Sequence, residues 1–181
     1  MYGRNTRTPE EGIISKRLND LINPFGMTSI LHKDEYASMD IQIVTTGGKR
    51  VCQLDIETKP DTYAFAAYYP NAHPAWVTIP GHNRGWSFLY RKVSKLEYDP
   101  RGRELVNPDD LYVLCDKTCE QLFVSTFGDI KKHCTLDKYN QHETKTWTYR
   151  HPAMRTGLPS FIHVDGNGYG FIVDYLKSKS I

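Results

Sequence analysis

The chain has 181 residues, 39% of them apolar, and a formal net charge of only +2. That length suits one domain, 1–181, with a real core, and the near-balance of charge excludes a global basic field, so nucleic-acid contact would have to come from local patches. Four cysteines do not make a secreted disulfide scaffold, no apolar run approaches the ~20 residues that span a bilayer, and the polar start holds no signal core; the expectation is a soluble, cytoplasmic protein in a reducing compartment with no membrane partner.

Residues 1–7 read as a basic arm. Thr8-Pro9-Glu10-Glu11 is a helix start, with Thr8 as cap, Pro9 at the first helical position and Glu11 three residues after the cap. Ile14, Leu18, Leu21 and Ile22 form one apolar stripe, and Asn23-Pro24 ends the helix. Glu10 and Glu11 suit the positive end of the helix dipole; the functional alternative is that one of them leans over the following hairpin as an extra metal ligand. Met27 to Leu31 reads as a short strand.

Met39 to Lys59 is the most informative stretch. Two short apolar runs flank Gly47-Gly48, a strong hairpin signal because both turn residues must accept positive φ. A two-residue turn there pairs Thr46 with Lys49, Val44 with Val51, Ile43 with Cys52, Ile41 with Leu54 and Asp40 with Asp55. Directly opposed residues share a face. One face gathers Ile41, Ile43, Cys52, Leu54 and Ile56, and is a core. The other gathers Asp40, Gln42, Gln53, Asp55, Glu57 and Lys59. Opposed like charges destabilise a sheet, and a hard divalent cation held by oxygen ligands would remove that penalty. The bland alternative is a solvated polar sheet face.

Beyond Pro60, Thr62 to Tyr69 is ambiguous between helix and strand, and Asn71 to Pro80 is irregular. Trp86 to Leu96 reads as extended. Leu111 to Leu114 and Gln121 to Ser125 read as a second hairpin, Phe127 to Cys134 as a short helix, and FIHV-DGNG-YGFIV as a third hairpin. Asp165-Gly166-Asn167-Gly168 lacks the distal Glu of a calcium loop, so a turn explains it better. The fold class expected is α/β (α+β), a mixed central sheet flanked by helices with additional β-hairpins.

The order helix, strand, Gly-turned strand with Asp40, then strand ending Asp-Ile-Glu-Thr-Lys resembles the PD-(D/E)XK nuclease superfamily. Asp40 stands at the family's first acidic position, with Met39 where the family has proline, and Glu57-Thr58-Lys59 matches the (D/E)XK part, seventeen residues further on. The resemblance covers residues 8–60. It implies a restriction-endonuclease-like or Holliday-junction-resolvase-like core and a metal-dependent deoxyribonuclease, an endonuclease using Mg²⁺ or Mn²⁺. Asp40, Glu57 and the backbone carbonyl of Thr58 would bind metal. Lys59 would assist catalysis, and Asp55, Glu10, Glu11 and Gln42 are optional participants. The implied partner is DNA, and a homodimer that cuts both strands is compatible with the resemblance. The alternative is a non-catalytic nucleic-acid- or protein-binding module on a nuclease-like fold.

Arg84, Arg91, Lys92, Lys95, Arg101 and Arg103 are interleaved with Trp86, Phe88 and Tyr90 in the insertion that follows, about residues 61–110. Cations and stacking groups together suit a surface that tracks a nucleic-acid backbone, with Arg84, Trp86, Arg91, Lys92 and Lys95 as its centre. A solvated strand face is the competing reading. Glu143-Thr144-Lys145 repeats the tripeptide but follows no apolar run, so it reads as surface. Cys115, Cys119 and His133-Cys134 could make a zinc cluster, although buried cysteines are more often small core residues.

Overall fold

The computed structural model describes residues 8–32, 38–58, 88–115, 117–137, 140–141, 144–145, 148–151 and 159–181. Helix α1 spans Pro9–Ile22. Its start follows the sequence signals: Glu11 Oε2 accepts the Thr8 N–H at 2.9 Å, closing the capping box. Ile14, Leu18 and Ile22 are fully buried and Leu21 packs beside them. A 3-10 turn, Asn23–Phe25, and Gly26 at φ +76 then deliver the chain into strand β1, Met27–Leu31.

Strands β2, Ile41–Thr45, and β3, Arg50–Thr58, form the central hairpin. The pairs Ile41–Leu54 and Ile43–Cys52 stand as the sequence implies, but Val44 pairs with Arg50 rather than Val51. The turn is responsible. Thr45 N–H donates to Lys49 O and Gly48 N–H to Thr45 O, both at 2.8 Å, so the loop holds three residues and only Gly48, at φ +87, takes a left-handed conformation. A bulge at Val51 absorbs the extra residue and restores the expected register toward the acidic end.

Strands β4, Phe88–Leu89, β5, Leu111–Cys115, and β6, Leu122–Thr126, follow, with helix α2, Tyr90–Val93, between the first two. Helix α3 is Phe127–His133, and β7 Thr135–Asp137, β8 Asn140–Gln141, β9 Thr144–Lys145 and β10 Thr148–Arg150 make small sheets beside it. Strand β11, His163–Asp165, and helix α4, Gly170–Lys179, end the described chain. The main sheet has the order β1-β2-β3-β5-β6-β11. Its pairs are antiparallel except β3–β5, which is parallel. The fold is therefore mixed α/β, a six-stranded mixed sheet flanked by helices.

Both faces of this sheet are covered. Leu54, Ile56, Leu111 and Val113 pack with Ile14 and Leu18 of α1 and with Ile172 and Leu176 of α4. Tyr112, Leu114 and Phe123 pack with Phe88, Val93 of α2 and with Phe127 and Ile130 of α3. β5 is consequently buried at all five positions, as a central strand between two layers should be. The polar face of the hairpin is thus not a solvated sheet surface: Gln53 and Asp55 are both buried.

Two expected strands are helical instead. Of the expected extended run Trp86 to Leu96, residues 86–87 lie outside the described residues; among the rest Phe88–Leu89 is strand, Tyr90–Val93 helix and Ser94–Leu96 a 3-10 turn. The second half of the expected third hairpin is α4. Asp165 decides this, since its carboxylate accepts the N–H groups of Phe171 at 2.6 Å and Ile172 at 3.0 Å, satisfying the open donors of a helix start. Cys115 and Cys119 lie in the core under α1 and α4, while Cys134 lies in the core across the sheet, so the zinc set the sequence allowed is not assembled. Among the described residues no helix is long and apolar enough to cross a membrane.

The edge strand β1 is closed off by α1. Asn19 Nδ2 donates to Ser29 O at 3.0 Å and Asn19 Oδ1 accepts the Ser29 N–H at 2.6 Å, so one side-chain amide satisfies both main-chain groups of a buried edge residue. Replacing Asn19 by Ala strands both groups and should cost about 1–3 kcal/mol, read as a lower urea midpoint at unchanged slope. An unchanged midpoint contradicts this role for Asn19.

Candidate functional site

The site forms where β2 begins and β3 ends. Asp40 sits just before β2. Its carbonyl accepts the His32 N–H at 2.9 Å and its own N–H donates to Leu54 O at 3.1 Å. Asp40 Oδ2 then accepts the Ile56 N–H at 2.7 Å, so the side chain stands in for a main-chain acceptor at the end of the ladder. This fixes the carboxylate against β3 beside Asp55, whose side chain is 3% exposed as a residue.

The two carboxylates face each other closely enough to share a proton. Burial first, then the charge of Asp55 and a hydrogen bond with it, push the Asp40 carboxyl well above its ordinary value. Burial also pushes Asp55 upward, but the ammonium of Lys92, the hydrogen bond with Asp40 and the charge of Lys95 outweigh it, and Asp55 lies below its ordinary value. Lys92 is the mirror image: burial favours its neutral form, yet Asp55, Asp40 and Glu57 hold it charged. The centre is an Asp55 carboxylate paired with the Lys92 ammonium, beside an Asp40 carboxyl that is the harder of the two acids to ionise.

Lys92 reaches inward from α2. Its Nζ donates to Asp55 Oδ1 at 2.8 Å and to the Ile56 carbonyl at 2.9 Å, and it lies 5.5 Å from the Tyr112 ring centre. Lys95, in the 3-10 turn behind α2, donates to Ser38 O at 2.9 Å. These two lysines therefore reach inward rather than forming an outward basic patch, whereas Arg91 and Arg101 are exposed. Phe88 is 1% exposed and meets Tyr112 edge-on with ring centres 5.0 Å apart, while Tyr90 stacks on Tyr149, so both aromatics serve the core. Arg84, Trp86 and Lys59 lie outside the described residues.

Glu57 shares the face of Asp55, but it is drawn to β5. Tyr112 donates its hydroxyl to Glu57 Oε2 and accepts the Leu89 N–H at 3.0 Å. Burial, then Glu57, push the Tyr112 phenol well above its ordinary value, so it remains a donor. Asp40 meets Asp55, the residue that the hairpin register sets opposite it, while Glu57, the metal-binding partner that the resemblance implied, is held by Tyr112. Thr58 ends β3 beside Cys115, and Gln42 stands in β2 opposite Gln53. Glu11 caps α1, and its side chain also reaches Asp40. Glu10 lies toward Cys119, whose thiol approaches its carbonyl at 4.0 Å.

Among the described residues no group of three or more His, Cys, Asp or Glu side chains is arranged to hold a metal ion. The oxygen set that does assemble is two carboxylates and one main-chain carbonyl, from Asp40, Asp55 and Ile56. Asp55 Oδ2 is buried and, among the described residues, meets no donor other than the neighbouring Asp40 carboxyl. A buried carboxylate oxygen set only against a second carboxyl fits a magnesium-type ion, which takes one or two carboxylates and keeps several waters. Sequence reasoning missed Tyr112 and misplaced Lys92; the spacing of Lys92 with Val93 and Leu96, helical rather than alternating, was the available signal.

Compared with known proteins, the chain matches no family model and no curated protein sequence.

The charge arrangement makes a stability prediction. A carboxyl whose folded pKa is raised contributes stability that is full below its unfolded pKa and lost as pH rises through the folded one. Asp40→Asn keeps an acceptor for the Ile56 N–H and removes the ionisation. In chelator, the variant should come nearest to wild type below about pH 4, the unfolded carboxylate range, and gain on it steadily as pH rises from there into the alkaline range. Thermal melts across that range check it, and a variant less stable than wild type at the alkaline end contradicts it.

Proposed function

We propose that the protein is a metal-dependent deoxyribonuclease, an endonuclease hydrolysing DNA phosphodiester bonds with Mg²⁺ or Mn²⁺. The observation that carries this reading is the half-buried Asp40 carboxyl set against the buried Asp55 carboxylate, beside the Ile56 carbonyl and an ammonium. Support for a PD-(D/E)XK-type core comes from the order of elements on which that resemblance rests, present here as α1, β1, β2 and β3.

The proposal moves the ligand set by one register step from the sequence expectation. Asp40, Asp55 and the Ile56 carbonyl would hold the cation, in place of Asp40, Glu57 and the Thr58 carbonyl. When bound, such a cation supplies neutralisation of the phosphate and activation of water. Glu57, fixed by Tyr112, orients water on the same face. Lys92, and Lys59, which follows Thr58 in the sequence, would supply positive charge for the charge that develops on the phosphate. DNA is the expected partner, and Arg91 is the described surface cation nearest in sequence to Lys92.

The test is cleavage of plasmid and branched DNA with Mg²⁺. Wild type should cut, and Asp40→Asn and Asp55→Asn should each lower the rate on the order of 100-fold or more. Glu57→Gln should lose less than Asp55→Asn, because Glu57 is outside the proposed ligand set. Equal cleavage by wild type and all variants contradicts the assignment.

A further inference from the structure

Lys92 occupies a place with the chemistry of a cation site. Its ammonium sits on one oxygen of Asp55 and on the Ile56 carbonyl, at 2.8 and 2.9 Å. Those are two of the three oxygen donors proposed above for a divalent ion. The other Asp55 oxygen is buried and, among the described residues, meets no donor other than the Asp40 carboxyl that lies against it. A side-chain ammonium is a tethered monovalent cation. It occupies part of the oxygen set and not the whole of it.

A divalent ion on Asp55 Oδ2 and an ammonium on Oδ1 of the same carboxylate would be like charges a few ångströms apart in a buried site, where screening is weak. The Ile56 carbonyl has two lone pairs, so what an ion there would meet is the charge of the ammonium already on that oxygen at 2.9 Å. Lys95, by contrast, is held by the Ser38 carbonyl and contacts none of these oxygens in the described hydrogen bonds. The two lysines therefore make a matched pair: both place positive charge near Asp55, and only Lys92 stands on the oxygens.

We propose that Lys92 is a built-in competitor for the cation site: its ammonium holds Asp55 and the Ile56 carbonyl at rest, and a divalent ion binds by displacing it. The displaced ammonium is then released toward the phosphate that the site receives. The proposal rests on the functional reading above. It deepens it by making metal loading and release of Lys92 one event. The resting state withholds the binding-competent arrangement, so the apparent affinity for the ion is lowered by the fraction of time Lys92 is out.

The experiment uses the full chain and two readouts that do not require cleavage. Titration calorimetry with Mn²⁺ measures binding to wild type, Asp55→Asn, Lys92→Gln and Lys95→Gln. Acetylation of wild type with and without Ca²⁺, read by mass spectrometry, measures the accessibility of the Lys92 amine without altering the site. Displacement predicts Mn²⁺ binding that Asp55→Asn abolishes, roughly tenfold tighter binding in Lys92→Gln with little change in Lys95→Gln, and a several-fold rise in Lys92 acetylation when Ca²⁺ is added. Equal tightening in both lysine variants would mean simple charge repulsion and overturns the proposal. Mn²⁺ binding with unchanged or reduced Lys92 acetylation also overturns it, even if Lys92→Gln proves too unstable to titrate. An absence of Mn²⁺ binding in wild type overturns the functional reading itself and the exchange with it.

Discussion

A buried Asp55 carboxylate against a half-buried Asp40 carboxyl, with one ammonium on Asp55, sets the constraint on which the rest of this structure depends. Asp40 and Asp55 cannot both ionise cheaply, and Lys92 neutralises only one of them. A fold selected for stability alone would place apolar or singly paired groups here. Instead the chain spends a capping box, a ladder position and a helix on maintaining the arrangement. Glu11 of the cap touches Asp40, the Ile56 N–H fixes its carboxylate, and α2 delivers Lys92. Opposed acids maintained by several elements are the pattern expected of a site that binds something.

The sheet explains how these groups can be both buried and convergent. β3 lies in the middle of the sheet, antiparallel to β2 and parallel to β5, with a packed layer on each side. Its alternation sends Leu54 and Ile56 under α1 and α4, and sends Asp55 and Glu57 toward α2 and Tyr112. Asp40 stands at the strand end between the layers, which is why it meets Glu11 from one layer and Asp55 from the other. Tyr112 then separates the two acids of β3 by function. It binds Glu57 through a hydroxyl that is itself held by Leu89, while Asp55 is left to Lys92 and Asp40.

Much of the first third was legible because its signals are local. The Thr8-Pro9-Glu11 cap, the stripe of Ile14, Leu18 and Ile22, the Met27–Leu31 strand and the pairing of Ile41 with Leu54 all stand as read. The acidic face was legible through alternation, although its burial was not, since the covering layer comes from residues far along the chain. Lys92 shows the limit. Among arginines and aromatics it reads as a surface cation, and only the turn into α2 aims it at Asp55. The last helix was missed for a similar reason: YGFIV suits a strand, and the Asp165 carboxylate that captures the Phe171 and Ile172 N–H groups comes before a turn. Ile172 and Leu176, four apart and both fully buried, were the quieter helical signal. Asp55 beside Asp40 was legible from the hairpin register; what spacing could not reach was that Tyr112 would hold Glu57 on β5.

The central claim is that Asp40 and Asp55 together hold a divalent cation, and the most direct measurement is an anomalous difference map from crystals of the full chain soaked in Mn²⁺. The account predicts one peak between the two carboxylates, within about 2.0–2.3 Å of Asp55 Oδ2, with Lys92 withdrawn from Asp55 Oδ1. A peak on Glu57 with Asp55 still bound to Lys92, or no peak at saturating Mn²⁺, would contradict it.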